Sequence, residues 1–493
     1  MTGQDAVQIM AGLSQLSMNQ APFSMGPGKP IPPQFTANPS AQSAVQDLRN
    51  AFTPVGLTLR KVLGWGGNGI VCLFSAPRPN GGEELFAVKT VLKEDTQSRR
   101  DLRNLEEEKR KTAIFEGAMH IVQQKTVQSA QPITITPPAV DTGPAGLMMM
   151  EYLENGSLAQ LVKKLNVKSM EVPSRVLWLV FFCLVKGLIS MRFPPRKYHF
   201  DYDGYDRDYL WSERLPDNGR EPEDGGMNNI HFDLDPYNVF LGPAFWVPRP
   251  GSDESAHGLF PMAKIADLGL MKWWRLRDAD DPQGVWKQRM MAKTFHFTPE
   301  QFSKEWDYIE QQPRRSNQSR DAAGHFTWKS NLYQVALIMC CLMTRCHPQY
   351  PPVPTFRDLD VPFAGQEGTS RQGWTYGDYL LSDNHQQNWS HVDRDLRLVI
   401  AHCMFDKPMN RLSIQELYHF TKSKIDAYQL SAVLQPPDHS WDNLDPLPTD
   451  WALRYWDDNQ PLWTREKVEA WTRSVLVDPP QVEPPPPPPS PSP

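Results

Sequence analysis

The longest apolar run in the chain, Val176–Ile189, is 14 residues long and contains one charged residue, Lys186. A helix that crosses a bilayer needs about 20 apolar residues, so this run is too short to span a membrane. A second run, Ser330–Thr344, is also nearly all apolar. Helices that are apolar on every face have to be buried. The chain must therefore fold around a core large enough to enclose two helices.

Composition agrees with a large core. The 493 residues are 40% hydrophobic and 22% charged, and this length corresponds to two or three folding units at about 100–200 residues each. A net charge of −6 gives no basic surplus for nucleic acid or an anionic membrane. Six scattered cysteines without a CxxC pair are typical of reduced thiols. The N-terminus also lacks the pattern of a secretory signal. We expect an intracellular protein, cytoplasmic or nuclear, with no nucleic-acid and no membrane partner.

Four segments differ in composition from the rest. Residues 1–53, rich in Gln, Ser, Pro and Met, predict a disordered or weakly ordered leader. Residues 199–226 hold nine acids and three arginines and predict a solvated acidic insert, with a docking site for basic partners as the alternative. Residues 431–477 carry five of the 16 tryptophans and predict an extension that packs on the main domain. The Pro-rich tail, 478–493, predicts a solvated polyproline II segment, or a ligand for an SH3- or WW-type domain at Pro484–Pro489.

The first chemical motif is rich in glycine. Gly64, Gly66 and Gly69 together with Val71 fit G-x-G-x-x-G-x-V, within a stretch that has the pattern of β-strands. Glycines let the backbone approach a polyphosphate and point N–H groups at its oxygens. Phe86-Ala87-Val88-Lys89 follows and fits the V-A-I-K pattern of a strand. A lysine at this place can reach phosphates when a carboxylate orients it.

Three consecutive acids on the next predicted helix, Glu106–Glu108, are candidates for that carboxylate. Adjacent helical residues point about 100° apart, so only one of the three can face Lys89. The spacing to the following His120–Val122 favours Glu108, with Glu107 as the alternative.

Three later motifs complete the set. His231–Asn238 fits H-x-D-L-x-x-x-N, Ala-Asp-Leu-Gly at 266–269 follows 34 residues after Asp233, and Thr298–Glu300 reads Thr-Pro-Glu. With six motifs in this order, the chain resembles the eukaryotic protein kinase family over roughly residues 54–428. The variant loop is similar to that of divergent kinases of filamentous fungi.

The resemblance implies an α+β, bilobal fold, with a small β-rich N-lobe at 54–150 and a larger helical C-lobe at 151–430. It implies transfer of the ATP γ-phosphate to a protein hydroxyl, on Ser or Thr, with ATP and Mg²⁺ as cofactors. Glu300 and Arg411 match the buried ion pair of the family's C-lobe. The implied catalytic residues are Asp233, Lys89 and Glu108, and the implied metal ligands are Asn238 and Asp267. The implied nucleotide contacts are Gly64, Gly66, Gly69, Val71, Ala87, Lys89, Met150, Glu151 and Leu153.

One departure from the family pattern concerns the activation segment. Phe232 stands where the family has the arginine that receives an activation-loop phosphate, and residues 270–293 contain no Ser, Thr or Tyr. The two absences agree, because a loop without a phosphate acceptor needs no receptor. We expect this loop to be ordered by packing of Trp273, Trp274 and Trp286, without phosphorylation.

Other departures concern charge. Asp235 replaces the lysine that neutralises the transferring phosphate, and Asn331 replaces a buried aspartate. Lys293 could return the cation by a charge swap with Asp235, and would then be a further catalytic residue. An alignment with a one-residue gap puts Thr294 there instead. These departures leave a pseudokinase or scaffold, which binds nucleotide or partners with little transfer, as the alternative function.

Overall fold

The structure is a computed structural model. The ranges it describes are 39–66, 69–78, 81–92, 95–128, 134–136, 146–195, 213, 215–216, 228–243, 260–275, 278, 281–308, 321–362, 368–381, 389 and 391–434.

Within these ranges the chain is a mixture of helices and small antiparallel sheets, which confirms the α+β class. The α-helices are α1 Pro39–Phe52, α2 Asp95–Ala113, α3 Leu158–Lys168, α4 Ser174–Arg192, α5 Pro282–Arg289, α6 Pro299–Phe302, α7 Trp328–Thr344, α8 Arg394–Cys403 and α9 Ile414–Leu434. The strands are β1 Thr58–Gly66, β2 Gly69–Pro77, β3 Glu83–Thr90, β4 Thr126–Gln128, β5 Thr134–Thr136, β6 Leu147–Glu151, β7 Asn228–Ile230, β8 Val239–Leu241, β9 Ala263–Ile265, β10 Lys272–Trp274, β11 Thr355–Asp360 and β12 Ser370–Thr375.

The largest sheet has four antiparallel strands in the order β1-β2-β3-β6. Alternate residues of β2 and β3 face one side and are fully buried, and Phe74 stacks on Phe86 with ring centroids 6.1 Å apart. Aromatic cross-strand pairs of this kind stabilise antiparallel sheets. The described glycines of the glycine-rich motif lie in β1 and β2, and β6 forms one edge of the sheet.

Helix α1 covers the same face of the sheet. Its buried side chains, Ala41, Ala44, Leu48 and Phe52, recur every three or four residues, and the Phe52 ring lies 5.0 Å from that of Phe74. The prediction of a disordered leader is therefore wrong for residues 39–53. The helix is stabilised by burial against the sheet, which its weakly apolar sequence does not reveal. Residues 1–38 lie outside the described part of the chain.

Helix α4 forms the centre of the helical core. All 19 of its residues are buried, and it packs against α7 and α9. Its length and hydropathy are those of a membrane span, but the entire helix is enclosed by protein. The predicted buried helices at 176–189 and 330–344 are both confirmed.

Helix α2 lies against the edge of the sheet. Leu105 packs with Val91 and Met148, and the Lys111 ammonium donates to the carbonyl of Gly269 at 2.8 Å. The helix therefore connects β6 to the turn that follows β9.

Two short antiparallel strand pairs carry the loops with the later motifs. β8 pairs with β9, and β7 pairs with β10. His231–Asn238 connects β7 to β8, and Asp267 follows β9 by two residues. Because Val239 pairs with Ile265, Asn238 and Asp267 come together at one end of the β8–β9 pair.

The remaining compositional predictions lie mostly outside the described residues. Of the acidic insert the structure describes Glu213, Leu215 and Pro216, and Glu213 is only 3% exposed. The prediction of a solvated insert is wrong at that residue, because its carboxylate is paired inside the protein. Residues 435–477 of the Trp-rich extension and all of 478–493, with Pro484–Pro489, are not among the described residues.

Candidate functional site

Lys89 lies at the centre of a buried cluster of charges. Its Nζ donates to Glu108 Oε1 at 2.8 Å and to Oε2 at 2.7 Å, and lies 3.7 Å from Asp267 Oδ1. Lys89 is 9% exposed and Glu108 is 6% exposed. Strand β3, helix α2 and the turn after β9 thus bring one cation and two carboxylates together.

Burial and charge oppose each other in this cluster. Burial by itself lowers the pKa of Lys89, but the carboxylates of Glu108 and Asp267 hold that pKa above its usual value. Burial raises the pKa of Glu108, which the charge of Lys89 opposes only in part. Burial also acts on Asp267, but the charge of Lys89 and a hydrogen bond from the Gly269 backbone keep its pKa below the usual value. The Asp267 carboxylate is therefore ionised at neutral pH.

The three consecutive acids of α2 point in different directions. Glu108 faces Lys89, Glu107 pairs with Lys111 at 3.0 Å, and Glu106 accepts from the Gly146 amide at 2.9 Å. The helical rotation of about 100° per residue separates the three side chains. Glu108, the acid favoured by its spacing, is the one in contact with Lys89.

The loop after β7 is fixed by internal hydrogen bonds. The buried imidazole of His231 donates from Nε2 to the Ala266 carbonyl (3.0 Å) and accepts at Nδ1 from the Asp233 amide (3.2 Å). Asn238 Nδ2 donates to Asp233 Oδ2 at 2.9 Å. Burial lowers the pKa of His231, so the ring is neutral. The loop thereby holds the Asp233 carboxylate beside the Asn238 amide.

Lys293 lies against the acids of this loop. Its Nζ is in contact with Asp235 Oδ2 and lies 3.5 Å from Asp233 Oδ1. Asp235 is 1% exposed, and its Oδ1 accepts from the Tyr237 amide at 2.8 Å. Burial raises the pKa of Asp233, with Lys293 opposing and Asp235 adding to the rise. The geometry therefore has Lys293, and not Thr294, beside Asp235.

The glycine-rich strands lie beside the Lys89 strand. β1 and β2 pair up to Gly66 and Gly69, and Val71 pairs with Lys89. Gly69 has φ +125°, and a Cβ at this place would collide with the carbonyl of Thr90. Only glycine fits that backbone without strain. Gly64 of β1 pairs with Val71 of β2. Residues 67–68 of the motif lie outside the described ranges.

The residues predicted to contact adenine lie along β3 and β6. Ala87 pairs with Met150, and Met150 packs against a buried apolar cluster of Val122, Leu153 and Ala266. Glu151 follows Met150 at the end of β6, and its carboxylate accepts from the Lys264 ammonium at 2.7 and 2.9 Å. This side chain is therefore engaged by protein, and so is the Glu151 amide, which donates to the Gln123 carbonyl at 3.0 Å.

An aromatic cluster holds part of the segment 270–293, which was expected to be ordered by packing. Phe232 is 2% exposed and its ring lies 5.0 Å from Phe326, which also contacts Trp274 at 5.5 Å. Trp286 packs edge-on against Trp306 at 5.0 Å. Trp273, by contrast, is 44% exposed, so the prediction that it packs is wrong. It follows Lys272 on β10, where its side chain points away from the neighbour Trp274. A buried apolar side chain thus stands at position 232, where the resemblance implies an arginine in the family.

The buried ion pair expected from the resemblance is present. Arg411 Nη1 and Nη2 each lie 2.9 Å from an oxygen of Glu300, and neither side chain is exposed to solvent. Asn331 accepts from the His231 amide and donates to the Asn229 carbonyl, both at 2.8 Å. Asn331 therefore connects the core helix α7 to the loop of Asp233 without a charge.

Sequence reasoning did not identify three residues that hold this site. Lys111 links α2 to Gly269, Lys264 binds Glu151, and Glu213 binds the loop at His120. The i, i+4 spacing of Glu107 and Lys111 was the only local signal among them. The other contacts join distant parts of the chain, for which one sequence gives no signal.

A cavity of about 590 Å³ lies elsewhere, and no predicted site residue lines it. Its three cations are already occupied, since Arg371 pairs with Glu416, Arg411 pairs with Glu300, and Lys329 donates to the Arg411 carbonyl at 3.0 Å. It therefore gives no indication of an anionic ligand.

No family model matches the chain, and no curated protein matches it.

Proposed function

We propose that this protein is a protein kinase that transfers the γ-phosphate of ATP to a serine or threonine hydroxyl of a protein substrate, with Mg²⁺. The observation that carries the proposal is the meeting of Lys89 with Glu108 and Asp267, next to the hydrogen-bonded pair of Asp233 and Asn238. These residues come from four separate parts of the chain, and nucleotide positioning needs this set.

The proposal includes a bilobal arrangement. The four-stranded sheet with α2 would form the N-lobe and contribute Lys89 and Glu108. The helical core would form the C-lobe and contribute Asp233, Asn238 and Asp267. The nucleotide would then bind between them, as ligands often do between two domains.

The charges of the site fit a metal–nucleotide complex. Among the described residues no three His, Cys, Asp or Glu side chains are grouped to hold a metal by themselves. The site nevertheless has four carboxylates against two ammonium groups, from Glu108, Asp233, Asp235 and Asp267 and from Lys89 and Lys293. Excess negative charge of this kind favours a divalent cation, and the Asp267 carboxylate with the amide oxygen of Asn238 supplies the hard donors that Mg²⁺ prefers. When bound, Mg²⁺ supplies charge neutralisation at the phosphates.

Lys89 has the geometry to hold a phosphate. An ammonium has three donors, and two of those on Lys89 go to the oxygens of Glu108. The third points towards Asp267 Oδ1, 3.7 Å away, and a phosphate oxygen that binds beside Asp267 would take this donor. The apolar contacts of Met150 and Leu153 would cover the adenine.

Asp233 would accept the proton of the substrate hydroxyl. Its carboxylate is oriented by Asn238, and its raised pKa makes it a better proton acceptor than a solvated aspartate. Lys293 lies 3.5 Å from Asp233 and would return a cation to the place where the family has a lysine instead of Asp235. No hydroxyl side chain occurs at 270–293, so we propose activity without activation-loop phosphorylation.

A pseudokinase is the second candidate, and one observation favours it. Lys293 is shared between Asp235 and Asp233, so much of its charge is neutralised before a phosphate arrives. Such a site would hold Mg-ATP but transfer its phosphate slowly.

The deciding experiment is transfer of radiolabelled γ-phosphate to a generic basic protein, with Asp233→Asn as the control. Transfer by the wild type that is lost in Asp233→Asn supports the kinase. A Mg-ATP thermal shift that Lys89→Met abolishes, without transfer, supports the pseudokinase, since a ligand of the native state raises stability. If the wild type shows no transfer and no thermal shift, both functions are ruled out.

A further inference from the structure

A carboxylate from the acidic insert is buried against the loop that precedes β4. Glu213 Oε1 accepts from the backbone amide of His120 at 2.8 Å and from the Ser190 hydroxyl at 2.9 Å. Its Oε2 lies 2.6 Å from His120 Nδ1. Leu215, two residues on, packs against the helical core. Glu213 thus joins the loop at His120 to helix α4.

The surroundings of Glu213 favour its charged form. Burial raises its pKa, but His120 and Lys186 outweigh this and hold the pKa below its usual value. A buried charged acceptor that is fully paired forms stronger hydrogen bonds than a neutral one.

The loop held by Glu213 is bonded directly to the strand that carries Asp267. The Ile265 amide donates to the His120 carbonyl at 2.9 Å, and the Val122 amide donates to the Ile265 carbonyl at 2.8 Å. Asp267 follows Ile265 by two residues in a left-handed backbone conformation, with φ 58°. The hydrogen bonds therefore run without interruption from Glu213 through His120 to the backbone next to Asp267.

We propose that Glu213 is a positioning residue, which fixes the place of Asp267 by clamping His120 to helix α4. The proposal rests on the proposed function only for what Asp267 binds. It gives Glu213, the one acid of the insert that the structure describes, a defined task at the site.

The test uses the full chain without ligand, and it compares amide hydrogen exchange in the wild type, Glu213→Ala and Glu213→Gln. Glu213→Ala should speed exchange at 263–270 at least tenfold and leave α8 and α9 unchanged. Glu213→Gln keeps an oxygen acceptor for the His120 amide and should remain within threefold of the wild type. Leu359→Ala, a buried substitution in a separate cluster, controls for general loss of stability and should leave 263–270 protected.

A second measurement connects this clamp to the site. Glu213→Ala should weaken Mg-ATP binding at least tenfold, whereas Leu359→Ala should not. Unchanged exchange at 263–270 in Glu213→Ala would overturn the proposal, as would a loss of protection equal to that in Leu359→Ala. If the wild type binds no Mg-ATP, the proposed function fails, while the exchange data still decide whether Glu213 positions the strand.

Discussion

Replacing Lys293 by alanine tests the charge arrangement of the site most directly. The Lys293 ammonium contacts Asp235 and lies 3.5 Å from Asp233. Asp235 Oδ2 is buried, and within the described part of the chain the Lys293 ammonium is the only cation that Asp235 contacts. Lys293→Ala therefore leaves a buried carboxylate oxygen without compensation.

The cost follows from the burial of the two partners. Removing one partner of a fully buried ion pair costs about 3–5 kcal/mol, whereas a surface pair contributes less than about 1 kcal/mol. Lys293 is 46% exposed and Asp235 is 1% exposed, which places this pair between the two cases. We expect the free energy of unfolding to fall by about 2 kcal/mol. Since the pKa of Lys293 is raised by Asp235 against the effect of burial, this contribution should persist at neutral pH and be lost in alkali as the lysine deprotonates.

Urea unfolding and single-turnover phosphotransfer measure the two consequences. Transfer should fall at least tenfold, which is about 1.4 kcal/mol of transition-state stabilisation. Lys287→Ala is the matched control, because Lys287 belongs to the same segment and is exposed. Adding Asp235→Asn to Lys293→Ala keeps the acceptor for the Tyr237 amide and removes the unpaired charge, so stability should return while transfer does not.

If Lys293→Ala transfers phosphate at the wild-type rate, the charge swap is refuted. A loss of stability as large in Lys287→Ala would show that the effect has nothing to do with Asp235.

Three further predictions concern stability. Burial lowers the pKa of His296 in the folded protein from its usual 6.5 to about 3. The free energy of unfolding that depends on the neutral ring is therefore fully present above pH 6.5 and is lost as the pH falls towards 3. Urea unfolding should show a slope of about 1.4 kcal/mol per pH unit in this range, and an unaltered slope in His296→Leu would contradict this. Arg411→Met should lower the free energy of unfolding by about 3–5 kcal/mol, because Glu300 then remains buried and charged, and a change below about 1 kcal/mol would be incompatible with that. Gly69→Ala should cost about 1–3 kcal/mol through backbone strain and contact with Thr90, measured by thermal unfolding against Gly64→Ala, whose Cβ meets open space.

The sequence predicted the elements whose residues follow a local period. The buried helices α4 and α7 are apolar on every side, and Lys89 and the acids of α2 lie at fixed steps along a strand and a helix. These features are apolar runs and short motifs of neighbouring residues, which a single chain displays. The distance along the chain from Glu108 to His120–Val122 also allowed Glu108 to be preferred among its neighbours.

Contacts across the chain could not be predicted in this way. Helix α1 has a weakly apolar face that is stable only because the sheet covers it. The exposure of Trp273 beside the buried Trp274 depends on which side of β10 meets Phe326. Burial is a property of two surfaces, and the sequence of one segment contains only one of them.

The order of the motifs, and hence the identity of the charged groups, was determined by the sequence alone. Their distances were decided by the tertiary structure: Lys293 meets Asp235 from 58 residues away, and Glu213 reaches His120 from within a segment read as solvated. Loops of variable length separate these partners, and closing a longer loop costs little additional entropy. The spacing in the chain therefore does not fix the spacing in space, which packing of the core around α4 provides.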